Sequence, residues 1–380
     1  MRITIAKTSL IRVLCAGLFW PLLLAGQTLP QIQGKGLMPD EWLFSAGQPF
    51  HFRAAASGTG RMLSSRSPTE VEAERIRQIQ GLFEKMPSKV ILLGDGDQIM
   101  YSQMKPPARG GSLLLSASMD KSITAFSAGV AICEGKISFT TRVKDVLPDL
   151  DGSYLGGSTL RDNLMMASGA LSAFGDSQSF TPAEIQELQT GKTSFMALLK
   201  GRIGQRQGWR HPGELFDYKS QDPLLVGMMV SAAYGLGGRN FRQWQADHFF
   251  NRVGLSDQRI QGNDQFGYAW SEGNTRLTLN DWARLAIFIL EQRKEPGCYG
   301  DFIRQATTRQ IKTDHRFAKV YDGYGYFVWT DNAQLPNSYS AIGYGGQAIV
   351  WSTVSDKFLI IFSNSADSYE ISKLARLWLD

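Results

Sequence analysis

The sequence predicts an α/β (α+β) fold, a sheet drawn from both ends of the chain with a mainly helical domain inserted between. Three observations carry this. Apolar, β-branched runs occur early ("KVILLGDGDQIMYSQ") and late ("QAIVWSTVSDKFLIIFSNS"), helix-start signatures fill the interval, and a final amphipathic segment closes the chain. The expected division is an export signal over 1–26, an irregular extension over 27–66, an α/β domain from 67–140 with 300–380, and a mainly helical domain over 141–299.

Residues 1–26 run from Arg2, Lys7 and Arg12 into an apolar stretch too short to span a membrane comfortably, the layout of a secretory signal peptide. An uncleaved anchor is the alternative, because no crisp A-x-A site precedes Gln27. Residues 27–66 mix Gly, Ser, Pro and isolated aromatics without period. In "SPTEVEAERIRQIQGLFEKM" Ser67 reads as N-cap, Pro68 as the first helical residue and Glu70 as the closing member of a capping box. The run "KVILLGDGDQIMYSQ" then reads as a hairpin turning at Gly94-Asp95-Gly96-Asp97, at an edge or the start of the sheet. After Ser118, residues Ile123, Phe126, Val130 and Cys133 fall on one helical face and Gly135 suits a left-handed C-terminal cap, so 118–134 is expected to be a buried helix. Further starts follow at Thr159 with Asp162, Thr181-Pro182 with Glu184, Asp222-Pro223, and Thr278 with Asp281. A hairpin turning at Ser355-Asp356-Lys357 and the helix "SYEISKLARLWL" end the chain.

Charge and metal-ligating residues exclude several functions. Export would remove three positive charges from the formal +5, so the remaining chain is close to neutral and has no basic surface for nucleic acid. The four histidines are scattered, with no H-x-x-H or Cys/His cluster, and neither metal nor cofactor is expected. Cys15 leaves with the signal. Cys133 and Cys298 are permitted to pair outside the cytoplasm, but two free cysteines are the expectation.

The candidate chemistry begins at "SASMDKS". Ser118 and Lys121 are three residues apart at a helix start, which places both on one face. A serine hydroxyl needs an adjacent base, desolvation is expected to lower the Lys121 amine pKa, and the helix N-terminus favours an oxyanion. The same spacing recurs at Ser102 and Lys105, but Pro106-Pro107 forbid a helix there. Tyr218, in "FDYKSQDP", is followed two residues on by Ser220, and a phenol near a lysine can pass a proton between nucleophile and leaving group. In "AIGYGGQAIVW" the pair Gly345-Gly346 permits close approach to a ligand at a strand start, and Gln347 can offer its backbone N–H to an oxyanion.

This order of S-x-x-K, then Y-x-[S/N], then a glycine pair opening a late strand resembles the penicillin-recognising serine hydrolases. The resemblance is closest to the class C β-lactamase-like branch that contains family VIII carboxylesterases and aminohexanoate-dimer hydrolases. It covers roughly residues 75–380, specific for the superfamily and loose for substrate. It implies an antiparallel sheet flanked by helices, with Ser118 the acylated nucleophile, Lys121 its base and Tyr218 the proton relay. It further implies Ser220, Tyr344, Gly345, Gly346 and Gln347 as substrate-side residues, with the Ser118 and Gln347 N–H groups as the oxyanion hole. The β-lactamases of this group carry a lysine where Tyr344 stands and usually asparagine where Ser220 stands. Both departures count against β-lactam hydrolysis and favour an ester or simple amide, with β-lactamase or D-Ala-D-Ala peptidase activity as the alternative. A non-turnover wall-fragment sensor on the same fold is the reading of another class. The expected partner is a small-molecule ester, amide or peptide, in the periplasm or outside the cell, with no nucleic acid, no stable membrane span after export and an open oligomeric state.

Overall fold

The computed structural model describes residues 51–52, 60–170, 180–205, 210–256, 259–315, 319–365 and 368–380. The expected export signal and most of the expected extension lie outside them. In chain order the strands are β1 His51–Phe52, β2 Ser64–Ser65, β3 Ser88–Asp95, β4 Gln98–Met104, β5 Leu114–Leu115, β6 Arg259–Gly262, β7 Arg276–Leu277, β8 Ile311–Lys312, β9 Tyr321–Tyr324, β10 Trp329–Asn332, β11 Leu335–Gly343, β12 Gln347–Ser352 and β13 Lys357–Ser363. The principal helices are α1 Glu70–Lys85, α2 Met119–Cys133, α3 Gln221–Ala233, α4 Leu279–Lys294, α5 Cys298–Ala306 and α6 Ser368–Leu379.

The main sheet has the order β2-β4-β3-β13-β12-β11-β10-β9-β8, antiparallel throughout except for the β2–β4 pair. The two ends of the chain meet where β3 pairs with β13, from Lys357 opposite Asp95 to Ser363 opposite Ser88. The pleat sorts their side chains onto two faces. Ile91, Leu93, Leu359 and Ile361 pack with Ile76, Ile79 and Phe83 of α1 and Leu374 and Trp378 of α6. Val90, Leu92, Phe358, Ile360 and Phe362 face the larger core that holds α2 and α4. With both faces covered, the strands read in sequence as continuous apolar runs rather than alternating ones.

Four expectations need correction. Helix α1 starts at Thr69, which accepts from Glu72 N while Glu72 accepts from Thr69 N. This later capping box prevails over Ser67 and Glu70 because Glu72 also takes a two-pronged bond from Arg66, whose guanidinium reaches Asp95 as well. Helix α2 is buried on every side from Met119 to Ala131, not along one face. Its polar side chains are tolerated because they find partners: Thr124 Oγ1 donates to Ser271 O at 2.9 Å and Ser127 Oγ to Ile123 O at 2.8 Å. The described part of the extension is tied to the body. Strand β1 pairs with β6 in a second sheet of order β1-β6-β7-β5, and Arg61 makes two 2.6 Å bonds to Glu291. Finally, Cys133 and Cys298 form a disulfide that joins the end of α2 to the start of α5. Helical placement brings the two cysteines together across 165 residues, a proximity that sequence distance conceals.

The helix starts at Thr159, Thr181 and Thr278 match their sequence signatures, each threonine accepting from the predicted acidic residue's N–H, whereas the start expected at Asp222-Pro223 lies two residues earlier, with Ser220 as N-cap. No described helix is long and apolar enough to cross a membrane.

Candidate active site

The second sheet positions Ser118. Just beyond β5, Ser116 N donates to Thr275 O at 2.8 Å and Ser116 Oγ accepts from Thr275 N at 3.1 Å. The next residue, Ala117, has φ of 42°, a left-handed backbone that costs a residue with a Cβ about 1–2 kcal/mol. This sharp turn starts α2 directly at Ser118, which is the N-cap but makes no capping bond with its side chain. The hydroxyl instead accepts from Lys121 Nζ at 3.1 Å. Lys121 does not reach for solvent, since its side chain is 5% exposed. Ser118 is half-buried at the mouth of this otherwise buried turn. The pair is therefore neither an ordinary helix cap nor a surface lysine lying along apolar neighbours.

Lys121 Nζ has two further partners on one residue, Glu272 O and Glu272 Oε2, both at 3.1 Å. It also lies 5.1 Å from the centre of the Tyr218 ring. Burial pushes the Lys121 pKa down, while Tyr218 and Glu272 push it up, and the balance lies above the ordinary lysine value. The expected lowering is thus corrected. Desolvation acts as anticipated, but the buried carboxylate and the phenol beside it more than offset it.

Tyr218 is buried rather than solvent-facing. Its ring stacks on Trp329 at 5.5 Å and meets Tyr324 edge-on at 6.4 Å, which fixes the phenol's direction. The following residues fasten this segment from below. Lys219 Nζ donates to Asp217 O and Met166 O and pairs with Asp222 at 3.3 Å, both side chains fully buried. Asp222 also accepts from Ser168 Oγ at 2.6 Å. Asp222 is therefore used for anchoring rather than capping, and Ser220 is the buried N-cap of α3.

The third motif folds against the turn that leads into Ser118. A Cβ on Gly343 would lie 2.4 Å from Ser116 O and 2.9 Å from Ala117 Cβ, so only glycine lets β11 approach this closely. Gly345 and Gly346 take φ of 79° and 89° in the turn between β11 and β12. The Gln347 side chain holds that turn by donating to Tyr344 O and Ser363 O and accepting from Ser363 N. Tyr344 stands at the rim, 43% exposed. The structure thus gathers Ser118, Lys121 and Tyr218, sets the Tyr344–Gln347 turn beside residues 116–117, and leaves Ser220 at the head of α3. The second S-x-x-K copy is elsewhere, with Lys105 Nζ donating to Phe83 O and Met86 O.

Two components escaped sequence reasoning. Glu272 is 3% exposed, and its other oxygen, Oε1, accepts from Trp270 Nε1 at 3.2 Å. Its only sequence signal is an isolated carboxylate in the low-charge stretch "YAWSEGNT". Asp120, inside the S-x-x-K motif, accepts from Arg242 Nη2 at 2.6 Å, Thr275 Oγ1 at 2.7 Å and Asn274 N at 3.0 Å. It ties the first turn of α2 to the segment that carries Glu272. A buried carboxylate in that spacing was the available clue.

The Beta-lactamase family profile matches residues 74–379. The chain belongs to the beta-lactamase family. Solved structures agree at the level of fold. A Bacillus anthracis protein named as a candidate 6-aminohexanoate-dimer hydrolase superposes with a TM-score of 0.64 at 12% identity, over 87% of this chain and 90% of that one. A class C beta-lactamase gives 0.62 at 14% identity, over 82% and 96%. A beta-lactamase from Mycobacterium bovis gives 0.55 at 17% identity, over 79% and 95%. Comparison with curated proteins finds no match. Membership in the beta-lactamase family supports serine-hydrolase chemistry in general, and the antiparallel sheet flanked by helices is that family's fold.

Proposed function

We propose that this protein hydrolyses an ester or simple amide through an acyl-enzyme on Ser118. The observation that carries the reading is the Lys121 ammonium 3.1 Å from the Ser118 hydroxyl, in a buried pocket shared with Tyr218. Ser118 Oγ attacks the carbonyl carbon, its proton is handled by the Lys121–Tyr218 pair, and the leaving group departs with a proton from the same pair. Water then repeats the sequence on the acyl-enzyme and releases Ser118. The N-terminal end of α2 and the Gln347 N–H supply the oxyanion hole in this reading. Ser220, Tyr344 and the glycines Gly345 and Gly346 border the substrate.

The rim favours substrates without a carboxylate, because Tyr344 occupies the place of the lysine that holds it in β-lactamases of the class C group. Tyr344 instead offers an apolar ring and a hydroxyl at the mouth. Export is part of the proposal: residues 1–26 have the layout of a signal peptide, and the Cys133–Cys298 disulfide suits an oxidising compartment.

Ser118→Ala is expected to abolish release of nitrophenol from short-chain nitrophenyl esters while leaving the circular dichroism spectrum unchanged. Intact mass after ester treatment should show one acyl group on wild type and none on the variant. Equal turnover by the two proteins would refute the assignment. The same mass measurement with a chromogenic cephalosporin separates this reading from a β-lactamase, which would turn over the cephalosporin, and from a sensor, which would retain the acyl group.

A further inference from the structure

We infer that Glu272 is a positioning residue for the proposed acyl transfer: its carboxylate, fixed by Trp270, holds Lys121 as an ammonium aimed at Ser118 throughout the cycle, so the Ser118 proton passes to Tyr218. The inference rests on the serine-hydrolase reading and deepens it.

Both ends of the Glu272 side chain are occupied. Oε1 accepts from Trp270 Nε1 at 3.2 Å and Oε2 accepts from Lys121 Nζ at 3.1 Å, while the Glu272 carbonyl accepts from the same ammonium at 3.1 Å. An ammonium has three N–H donors, and the third points at Ser118 Oγ. Two of the three oxygens at 3.1 Å from Lys121 Nζ belong to Glu272, one of them a buried carboxylate oxygen that favours the ammonium form, and the third is the Ser118 hydroxyl. The segment carrying Glu272 is itself held from the serine helix, by Asp120 through Asn274 N and Thr275 Oγ1. The charged or titratable groups facing Lys121 are Glu272, from the segment between β6 and β7, and Tyr218, from the segment before α3.

The proton balance closes without a neutral lysine. As the Ser118 Oγ–acyl bond forms, the hydroxyl proton moves to a Tyr218 phenolate stabilised by the adjacent ammonium. As the bond to the leaving group breaks, Tyr218 gives that proton to the departing oxygen or nitrogen and becomes a phenolate again. In deacylation the water oxygen bonds to the acyl carbon as its proton passes to Tyr218, and the Ser118 Oγ–acyl bond breaks as Tyr218 returns that proton to Ser118.

The test compares Glu272→Gln, which keeps the size and removes the charge, with Glu272→Asp, which keeps the charge, using a nitrophenyl ester. The Gln variant should lose at least 100-fold in kcat with KM within threefold. Its alkaline limb in the pH–kcat profile should move at least one pH unit lower, because a buried Lys121 without its counter-charge deprotonates sooner. The Asp variant should recover at least tenfold and retain the wild-type limb. A folded Gln variant with wild-type kcat and an unmoved limb overturns the inference. Should that variant not fold, Trp270→Phe decides: a kcat about tenfold lower with unchanged KM supports it, and an unchanged kcat overturns it. Wild-type protein that never acquires an acyl group on Ser118 sinks the hydrolase reading and this inference together, whereas acylated wild type with indifferent Glu272 variants sinks this inference alone.

Discussion

Asp222 shows how a side chain behind the site is tuned by its surroundings. Burial, the dominant influence, raises its pKa to about 6 against the opposing effects of Lys219 and Ser168. A carboxyl with a raised folded-state pKa binds a proton more readily folded than unfolded. Its contribution to stability is therefore complete below the ordinary carboxylate range near pH 4 and is lost as pH rises through about 6. The size follows from the roughly two-unit shift, on the order of 3 kcal/mol. Thermal unfolding of wild type and Asp222→Asn between pH 4 and 7 should show wild type losing stability relative to the variant over that interval. A constant difference across the range contradicts the account. Lys121 follows the same logic, in that its pKa depends on neighbours far away in sequence.

At the scale of elements, α2 is the central strut and its packing leaves little slack. A Cβ on Gly129 would lie 2.4 Å from Cδ1 of Phe302 on α5. Phe302 cannot swing aside easily, since it is buried and lies against Phe139, Tyr299 and Tyr326. Gly129→Ala gains about 1 kcal/mol of helix propensity but forces overpacking that costs roughly 1–3 kcal/mol. The overpacking should win. Chemical denaturation is expected to give a lower midpoint for the variant with an unchanged slope, and a raised midpoint would show that α2 and α5 have room to separate. Glycine at this position is what lets the serine helix lie close enough to α5 for Cys133 and Cys298 to bond.

For the whole molecule, the disulfide links α2, the helix that Ser118 caps, to α5 across 165 residues. In the chain-entropy picture a loop of this size is worth up to about 5 kcal/mol, nearly all of it through restriction of the unfolded chain. Replacing both cysteines by serine is expected to lower the melting temperature by about five degrees while leaving acylation of Ser118 at low temperature close to wild type. Melting curves that coincide under oxidising conditions would show that the bond does not form. The main sheet makes the same point through topology: β3 from the early chain and β13 from its end are neighbours, so the fold closes only when both ends are present.

Much of the fold and the pairing of Ser118 with Lys121 were legible in the chain, because the cues are local. Capping residues such as Thr159, Thr181 and Thr278, the hairpin glycines and the apolar runs act over a few residues, and the prolines after Lys105 separate the idle S-x-x-K copy from the one at Ser118. The start of α1 was misplaced by two residues because two capping boxes overlap and only Arg66, folded onto Glu72 and Asp95, chooses between them. The partners of Lys121, the burial of Tyr218, the placement of Glu272 beside them and the disulfide required tertiary structure. Lys121 and Glu272 are 151 residues apart, and a buried ammonium's charge is set by whichever groups the fold brings within about 3 Å, whatever their distance along the chain.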